Sequence, residues 1–259
     1  MHGQLSRLDK LYQQHAGEEC YIFGDGVSLK WMDLLQFVDR PSILGNMSIF
    51  HKEAKALNAP YCTIIEPSFF WPFSVYHAAD GQHLVRNFTH KEYRKSIKLN
   101  PRTSFLINFS NYPFARFSNA LYVSRFYKPP FKDKNPFVER IDAHDGTIKF
   151  QLSLAIYLGF KKAYLVGHDY THSPSRSLHF YEKGEGILTG GKDFIREFLD
   201  YVKQHMDLVT VTLDGKSDTM PSVTYRDFTG RVPRYRENTE IVDLEKLQNL
   251  ATWGGYSIF

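Results

Sequence analysis

Residues 20–35 read CYIFGDGVSLKWMDLL. The apolar run Cys20–Phe23 has the length and composition of a core strand, and the glycines Gly24 and Gly26 with Asp25 between them break it into a tight turn. Ser28 then stands where an N-cap would stand, ahead of Leu29, Met32 and Leu35 at helical spacing. The stretch therefore predicts strand, turn and helix in immediate succession. That unit builds a parallel sheet when it recurs.

It recurs along the chain. PSILGN at 41–46 reads as a second strand, with SIFHKEAKAL at 48–57 as the helix after it. PYCTIIEPSFF at 60–70 gives a third strand ending near Glu66. RTSFLINFS and ALYVSRFYK carry β-rich residues in a less regular middle, followed by the proline- and lysine-rich KPPFKDKNPF. The alternation then returns. GTIKFQLSLAIYLGF is a helix with Ile148, Leu152, Ala155 and Ile156 on one face and Gly159 as its stop. KKAYLVGHDY is a buried strand, KDFIREFLDYVKQH a helix, DLVTVTL a late strand and DLEKLQNLATW a closing helix. Leu5, Leu8, Leu11 and Tyr12 predict an amphipathic N-terminal helix. The expected fold is α/β: a Rossmann-like, mostly parallel, doubly wound sheet. It forms one domain over 1–259, with helical or loop-rich lid segments at about 68–140 and 170–190.

In such a sheet, ligands sit beyond the C-terminal ends of the strands. Polar residues fall at those ends repeatedly: Asp25 and Ser28 after the first strand, Asn46 after the second, Glu66 after the third, His168 and Asp169 after the strand near 163–167. Gly24 and Gly26 would let a ligand approach the backbone, and the helix starting near Ser28 would offer N–H groups to a phosphate. Asp25 would repel a phosphate. It reads either as a turn residue or as a partner for a ribose or base. A second glycine turn, AHDGTIKF, opens the helix at 146: His144 or Asp145 would cap it, while Gly146 and Thr147 would expose N–H groups. The reading of both turns as plain connectors stays open, because neither completes a dinucleotide or Walker fingerprint.

The densest chemistry lies in VGHDYTHSPSRSLHFY. The spacing of His168, Asp169, His172 and His179 matches no standard zinc pattern, so no metal is assigned. His179, beside Phe180 and Tyr181 in a serine-rich loop, is either a general base working near neutral pH or a solvated histidine. His168 is the other candidate base, and His172 reads as a solvated loop residue. Tyr170, Arg176 and Tyr181 would bond a departing phosphate or merely pack. PSFFWPFSVYH at 67–77 reads equally as core or as an aromatic platform for sugar rings.

A 259-residue chain with 42% hydrophobic and 23% charged residues suits a soluble globular class. A net charge of +4 permits anionic ligands without calling for nucleic acid. The two cysteines, Cys20 and Cys62, sit in strand-like runs and read as buried thiols. The N-terminal residues lack the apolar stretch of a signal peptide, and no run approaches the ~20 apolar residues of a membrane span. A cytoplasmic location is expected.

Taken in order, these motifs resemble a known family. YIFGDGVSL is similar to the glycine turn of the bacterial sialyltransferases of the Campylobacter type, which transfer CMP-linked nonulosonates. It is similar too to the related domain of Maf flagellin-glycosylation proteins and of archaeal 6-hydroxymethylpterin pyrophosphokinase-like proteins. ILGN at 43–46, IIEPSFF at 64–70, DGTIKFQLSLAIYLGFKKAYLVGHDY and SLHFY follow in the family's order, from about Cys20 to Val211. The departures are Asp25 for an asparagine, Val27 for a proline, and Glu66 for an amide; His144 and Asp145 stand near the family's Thr-Ser. The resemblance implies a glycosyltransferase that is inverting and metal-independent, with no cofactor. Its donor would be a nucleotide sugar, CMP-linked and sialic acid-like or Kdo. The acceptor would be a glycan or glycolipid of a bacterial surface polymer such as lipopolysaccharide or capsule. Peripheral contact with the inner membrane and oligomerisation are both compatible with that role. His179 would be the base, with Tyr170, Tyr181 and Arg176 at the phosphate. The pterin-type relatives imply an alternative, a Mg²⁺-dependent diphosphotransferase using Asp25, Glu66, Asp145 and Asp169. A non-catalytic nucleotide- or glycan-binding protein is the remaining one.

Overall fold

The computed structural model describes residues 7–67, 69–78, 81–86, 88–123, 146–190, 195–252 and 255–259. Its strands are β1 (Glu19–Phe23), β2 (Ser42–Gly45), β3 (Tyr61–Ile64), β4 (Phe73–Ala78), β5 (Gly81–Arg86), β6 (Ser104–Asn108), β7 (Ala120–Val123), β8 (Lys162–Val166), β9 (Ser175–Arg176), β10 (Leu188–Thr189), β11 (Asp207–Thr212) and β12 (Ser222–Thr224). Eight of them form one sheet in the order β12-β11-β8-β1-β2-β3-β6-β7. Every pairing in that sheet is parallel. Two antiparallel pairs, β4 with β5 and β9 with β10, lie outside it. The helices are α1 (Thr89–Leu99), α2 (Thr147–Leu158), α3 (Arg196–Val202), α4 (Tyr225–Thr229), α5 (Asn238–Ile241) and α6 (Leu244–Ala251).

The chain runs outward from β1 through β2, β3 and β6 to β7, then returns to lay β8 on the other side of β1. This is the doubly wound, Rossmann-like arrangement, with its topological switch between β1 and β8. The strand sequences follow from burial on both faces. Tyr21 and Phe23 point into one core with Ile64, Phe105, Tyr164 and Val166, while Cys20 and Ile22 point into the other with Leu106, Ala163 and Leu165. A strand covered on both sides needs an unbroken apolar run, as Cys20–Phe23 supplies. Cys20 and Cys62 are free and buried. Helices α2 and α3 cover the second face through Leu152, Ala155, Phe198 and Leu199; α1 and α6 cover the first through Tyr93, Ile97, Leu247 and Leu250.

Three local readings change. SIFHKEAKAL does not form an α-helix; Asn46–Phe50 and Lys52–Ala56 are separate 3₁₀ turns with His51 between them. The helix after β1 is also a 3₁₀ turn, Val27–Trp31, whose N-cap is Gly26 and which Ser28 does not cap. Inside the segment 68–140, β6 and β7 are strands of the main sheet, so that stretch is not lid throughout. Helix α2 is as expected, with Gly159 ending it at φ +85°. It is buried nearly all round rather than on one face, and Gln151 lies at its centre. The Gln151 amide donates to the Phe23 carbonyl at 2.9 Å and the Ile43 carbonyl at 3.4 Å, fastening α2 across β1 and β2. That tie sets where the N-terminus of α2 points.

Candidate active site

The strand-end turns enclose a cavity of about 510 Å³. Gly24, Asp25 and Gly26 follow β1; Asn46 and Met47 follow β2; Glu66, Pro67 and Phe69 follow β3; Gly167, His168, Tyr170 and Thr171 follow β8. The first turn of α2 contributes Gly146, Thr147 and Ile148, and His179, Tyr181 and Tyr256 complete the wall. Asp25 and Glu66 stand in this described lining, and no lysine or arginine does. A feature of that lining suited to an anion is the α2 N-terminus, where the positive end of the helix dipole lies.

The glycine turn has a packing reason that the sequence hides. A Cβ on Gly24 would lie 2.5 Å from the Gly167 carbonyl oxygen and 2.8 Å from the His168 ring. On Gly26 it would lie 2.5 Å from Asp169 Oδ2. The two strand-end turns press together so closely that glycine is required whether or not a ligand is bound. The expectation that Gly24 and Gly26 serve a ligand's approach to the backbone thus gains a packing reason that needs no ligand.

Asp25 is partly buried, with Oδ1 shielded from solvent and unpartnered; Oδ2 accepts the Met47 N–H at 3.3 Å. Burial pushes its carboxyl up to about 7, against the opposing pull of His179 and the backbone N–H groups of Met47 and Ser48. Asn46 holds φ +34° and donates to Thr147 Oγ1 at 2.8 Å, which joins the β2 turn to α2. His168 is buried with Nε2 unpartnered, and burial pulls its ring down to about 3. It is a neutral wall residue and a weak base. His144 and Asp145 lie outside the described residues.

Asp169, Ser28 and Arg176 do not line this cavity. Asp169 Oδ2 accepts the Ser28 N–H at 2.7 Å, so the N–H offered to a phosphate is already taken from within the chain. The three residues line a smaller cavity of about 90 Å³ with His172. Arg176 stacks on Trp31, 5.1 Å from the ring centre, and donates to the Glu185 carbonyl. His172 is 6% exposed, contrary to its reading as solvated. The segment at 67–77 divides: Phe69 and Phe70 are core, while Trp71 is 39% exposed and donates its indole N–H to the Ser110 carbonyl.

His179 is held at the cavity by its neighbours. Phe180 and Tyr181 are 0% and 1% exposed, and burying two such rings contributes about 2 kcal/mol each to docking the loop. The Phe180 N–H donates to the Asp25 carbonyl at 3.0 Å, and Gly26 and His179 form an antiparallel bridge. The Tyr181 ring stacks on the imidazole at 5.0 Å and 7°. Tyr181 is hydrogen-bonded through its hydroxyl to Tyr256, and Tyr170 donates its hydroxyl to the Leu178 carbonyl. Two residues in contact with the His179 side chain escape the sequence reading. Glu182 Oε2 lies at hydrogen-bond distance, 2.7 Å, from His179 Nδ1, and Tyr256 packs edge-on against the imidazole at 5.6 Å. The i,i+3 spacing of His179 and Glu182 was a usable signal; nothing in the sequence connects Tyr256 to the loop.

No family model matches the chain, and no curated protein matches it. Solved structures similar to it include the Campylobacter jejuni sialyltransferase CstII in complex with cytidine-5'-monophosphate, at 13% identity and TM-score 0.47, covering 92% of this chain and 98% of that one. The same enzyme with CMP-3FNeuAc gives 14% identity and TM-score 0.46, covering 91% and 99%. A CstII structure with trisaccharide acceptor and CMP gives 12% and 0.46, again covering 91% and 99%.

Proposed function

We propose that this chain is a glycosyltransferase that moves a sugar from a nucleotide-activated donor to a glycan hydroxyl, with inversion and without a metal. The observation that carries the proposal is the placement of the His179 imidazole in the wall of a strand-end cavity that also receives the N-terminus of a buried 12-residue helix. A donor phosphate at the first turn of α2 would meet N–H groups and the positive end of the helix dipole. His179 would take the proton of the acceptor hydroxyl as its oxygen bonds to the anomeric carbon. The bond from that carbon to the phosphate oxygen would break on the opposite face, and the nucleotide would leave with the electron pair. The CMP-linked, sialic acid-like or Kdo donor and the surface-glycan acceptor rest on the motif resemblance alone. Among the described residues, no helix is long and apolar enough to cross a membrane.

A thermal-shift screen with CMP, CDP, UDP, GDP and ATP tests the donor class, since a ligand that binds the folded chain raises its melting temperature with occupancy. A selective response to CMP supports the proposal; a response to ATP alone, with activity lost in EDTA, favours the Mg²⁺-dependent diphosphotransferase. Against that alternative, Asp169 is engaged by the Ser28 N–H away from the cavity that holds Asp25 and Glu66. His179→Ala should lower kcat by roughly 10²–10⁴-fold while CMP binding persists. Full turnover in that variant would remove His179 from the mechanism.

A further inference from the structure

We propose that Glu182, braced by the C-terminal segment 255–259, is a positioning residue that fixes the tautomer of His179, so that Nδ1 carries the proton and Nε2 is left as the acceptor. The inference rests on the reading of His179 as the base. Its geometry is separate from that reading.

One carboxylate does three things. Glu182 Oε2 accepts from the His179 backbone N–H at 2.8 Å and lies 2.7 Å from His179 Nδ1. Its other oxygen, Oε1, accepts the Ser257 N–H at 3.2 Å. The Lys183 N–H donates back to the Ser257 carbonyl at 2.7 Å, so loop and tail are sewn together on both sides of the carboxylate. Asn238 repeats the stitch one layer deeper, donating to the Tyr181 and Ile258 carbonyls at 2.9 Å each. Ile258 is 3% exposed and anchors the tail. The imidazole then lies between rings: Tyr181 stacks on one face, and Tyr256 meets it edge-on. The ring cannot turn over without breaking the Glu182 bond and the Tyr181 stack together.

An ionised carboxylate has no proton to give, so a 2.7 Å contact with Nδ1 requires the proton to sit on Nδ1. Burial pushes the Glu182 carboxyl up, but the hydrogen bonds from the His179 ring and backbone N–H groups outweigh it and hold Glu182 below the usual carboxylate range. Glu182 therefore stays charged across neutral pH. The other titratable groups around the imidazole are Asp25 from the β1 turn, Tyr170 from the β8 turn, Tyr181 from the same loop and Tyr256 from the tail; Glu66 from the β3 turn faces Asp25. Asp25 adds a charge only above about pH 7, whereas Glu182 acts throughout.

The test needs no substrate. A long-range ¹H–¹⁵N spectrum of the full chain at pH 7.5, with the His179 signals assigned by their loss in His179→Ala, reads the tautomer directly. The wild type should show the Nδ1-protonated form. In Glu182→Gln the side chain can turn either its carbonyl or its amide toward Nδ1, so both tautomers should appear. Glu182→Asp, which keeps an acceptor-only carboxylate, should restore the Nδ1-protonated form. An Nε2-protonated wild type, or a Glu182→Gln spectrum identical to wild type, overturns the proposal; the wild-type spectrum decides alone should the variant not fold. Turnover separates the two readings. If the tautomer is fixed as described and His179→Ala remains fully active, the base assignment fails while the positioning role stands.

Discussion

Replacing Asp25 by asparagine should stabilise the protein, increasingly so as pH rises. Burial lifts the Asp25 carboxyl from its ordinary 3.8 to about 7 in the folded chain. Below pH 3.8 both folded and unfolded chains hold the proton, and the group is neutral to stability. Between 3.8 and 7 the unfolded chain releases it while the folded chain keeps it, so stability falls as pH rises; above 7 the loss is complete. At ~1.4 kcal/mol per pH unit the interval corresponds to about 4 kcal/mol. Water reaches a partly buried side chain and reduces this to roughly 2 kcal/mol at pH 8 and less than ~1 kcal/mol at pH 5. Asparagine keeps the shape, can still accept the Met47 N–H through its carbonyl, and carries no charge to desolvate. Urea unfolding of both proteins at pH 5, 6, 7 and 8 measures the difference, with the other titrating groups common to both. A difference that stays constant with pH, or a variant less stable than wild type at pH 8, would refute the account of Asp25 as a partly desolvated charge in the β1 turn.

The strand-end turns give a second expectation: Gly24→Ala should cost roughly 2–3 kcal/mol of stability, because its Cβ would meet the Gly167 carbonyl and the His168 ring. Gly146→Ala, with open space around its Cβ but φ +99°, should cost about 1–2 kcal/mol, and equal losses at the two sites would contradict the packing argument. Acid pH acts on two buried histidines. Burial holds His51 and His168 down to about 3, so their contribution to stability is present above about pH 6.5 and is lost as pH falls toward 3. Asp25→Asn removes the opposing trend, and its melting temperature should fall steadily from pH 6.5 to pH 4.5; a flat profile would show that these rings are not buried neutral.

Much of the architecture was legible in sequence because a parallel sheet writes itself in one-dimensional patterns. Cys20–Phe23 and the run before Gly167 are apolar without alternation since both faces are covered, and helix α2 announces itself by length and by Gly159. Strand-end polar residues were also legible: topology alone puts Asp25, Asn46, Glu66 and His168 at the same edge. The 3₁₀ turns after β1 and β2 were not, because their residues have helical spacing for a turn or two and only close packing against the sheet decides the winding. Nor could sequence separate Asp169 from Asp25. Both follow strands, yet one faces the cavity and the other accepts the Ser28 N–H behind Gly26. The requirement for glycine at 24 arises from a carbonyl 143 residues away in the chain, at Gly167. Tyr256 reaches His179 only because the tail folds back over the loop, with Ser257 bound to Glu182 and Ile258 buried. Local propensity and periodicity act over a few residues, so they determine the elements and their order. Which polar atoms meet is set by the packing of two cores against one sheet, and that belongs to the tertiary structure.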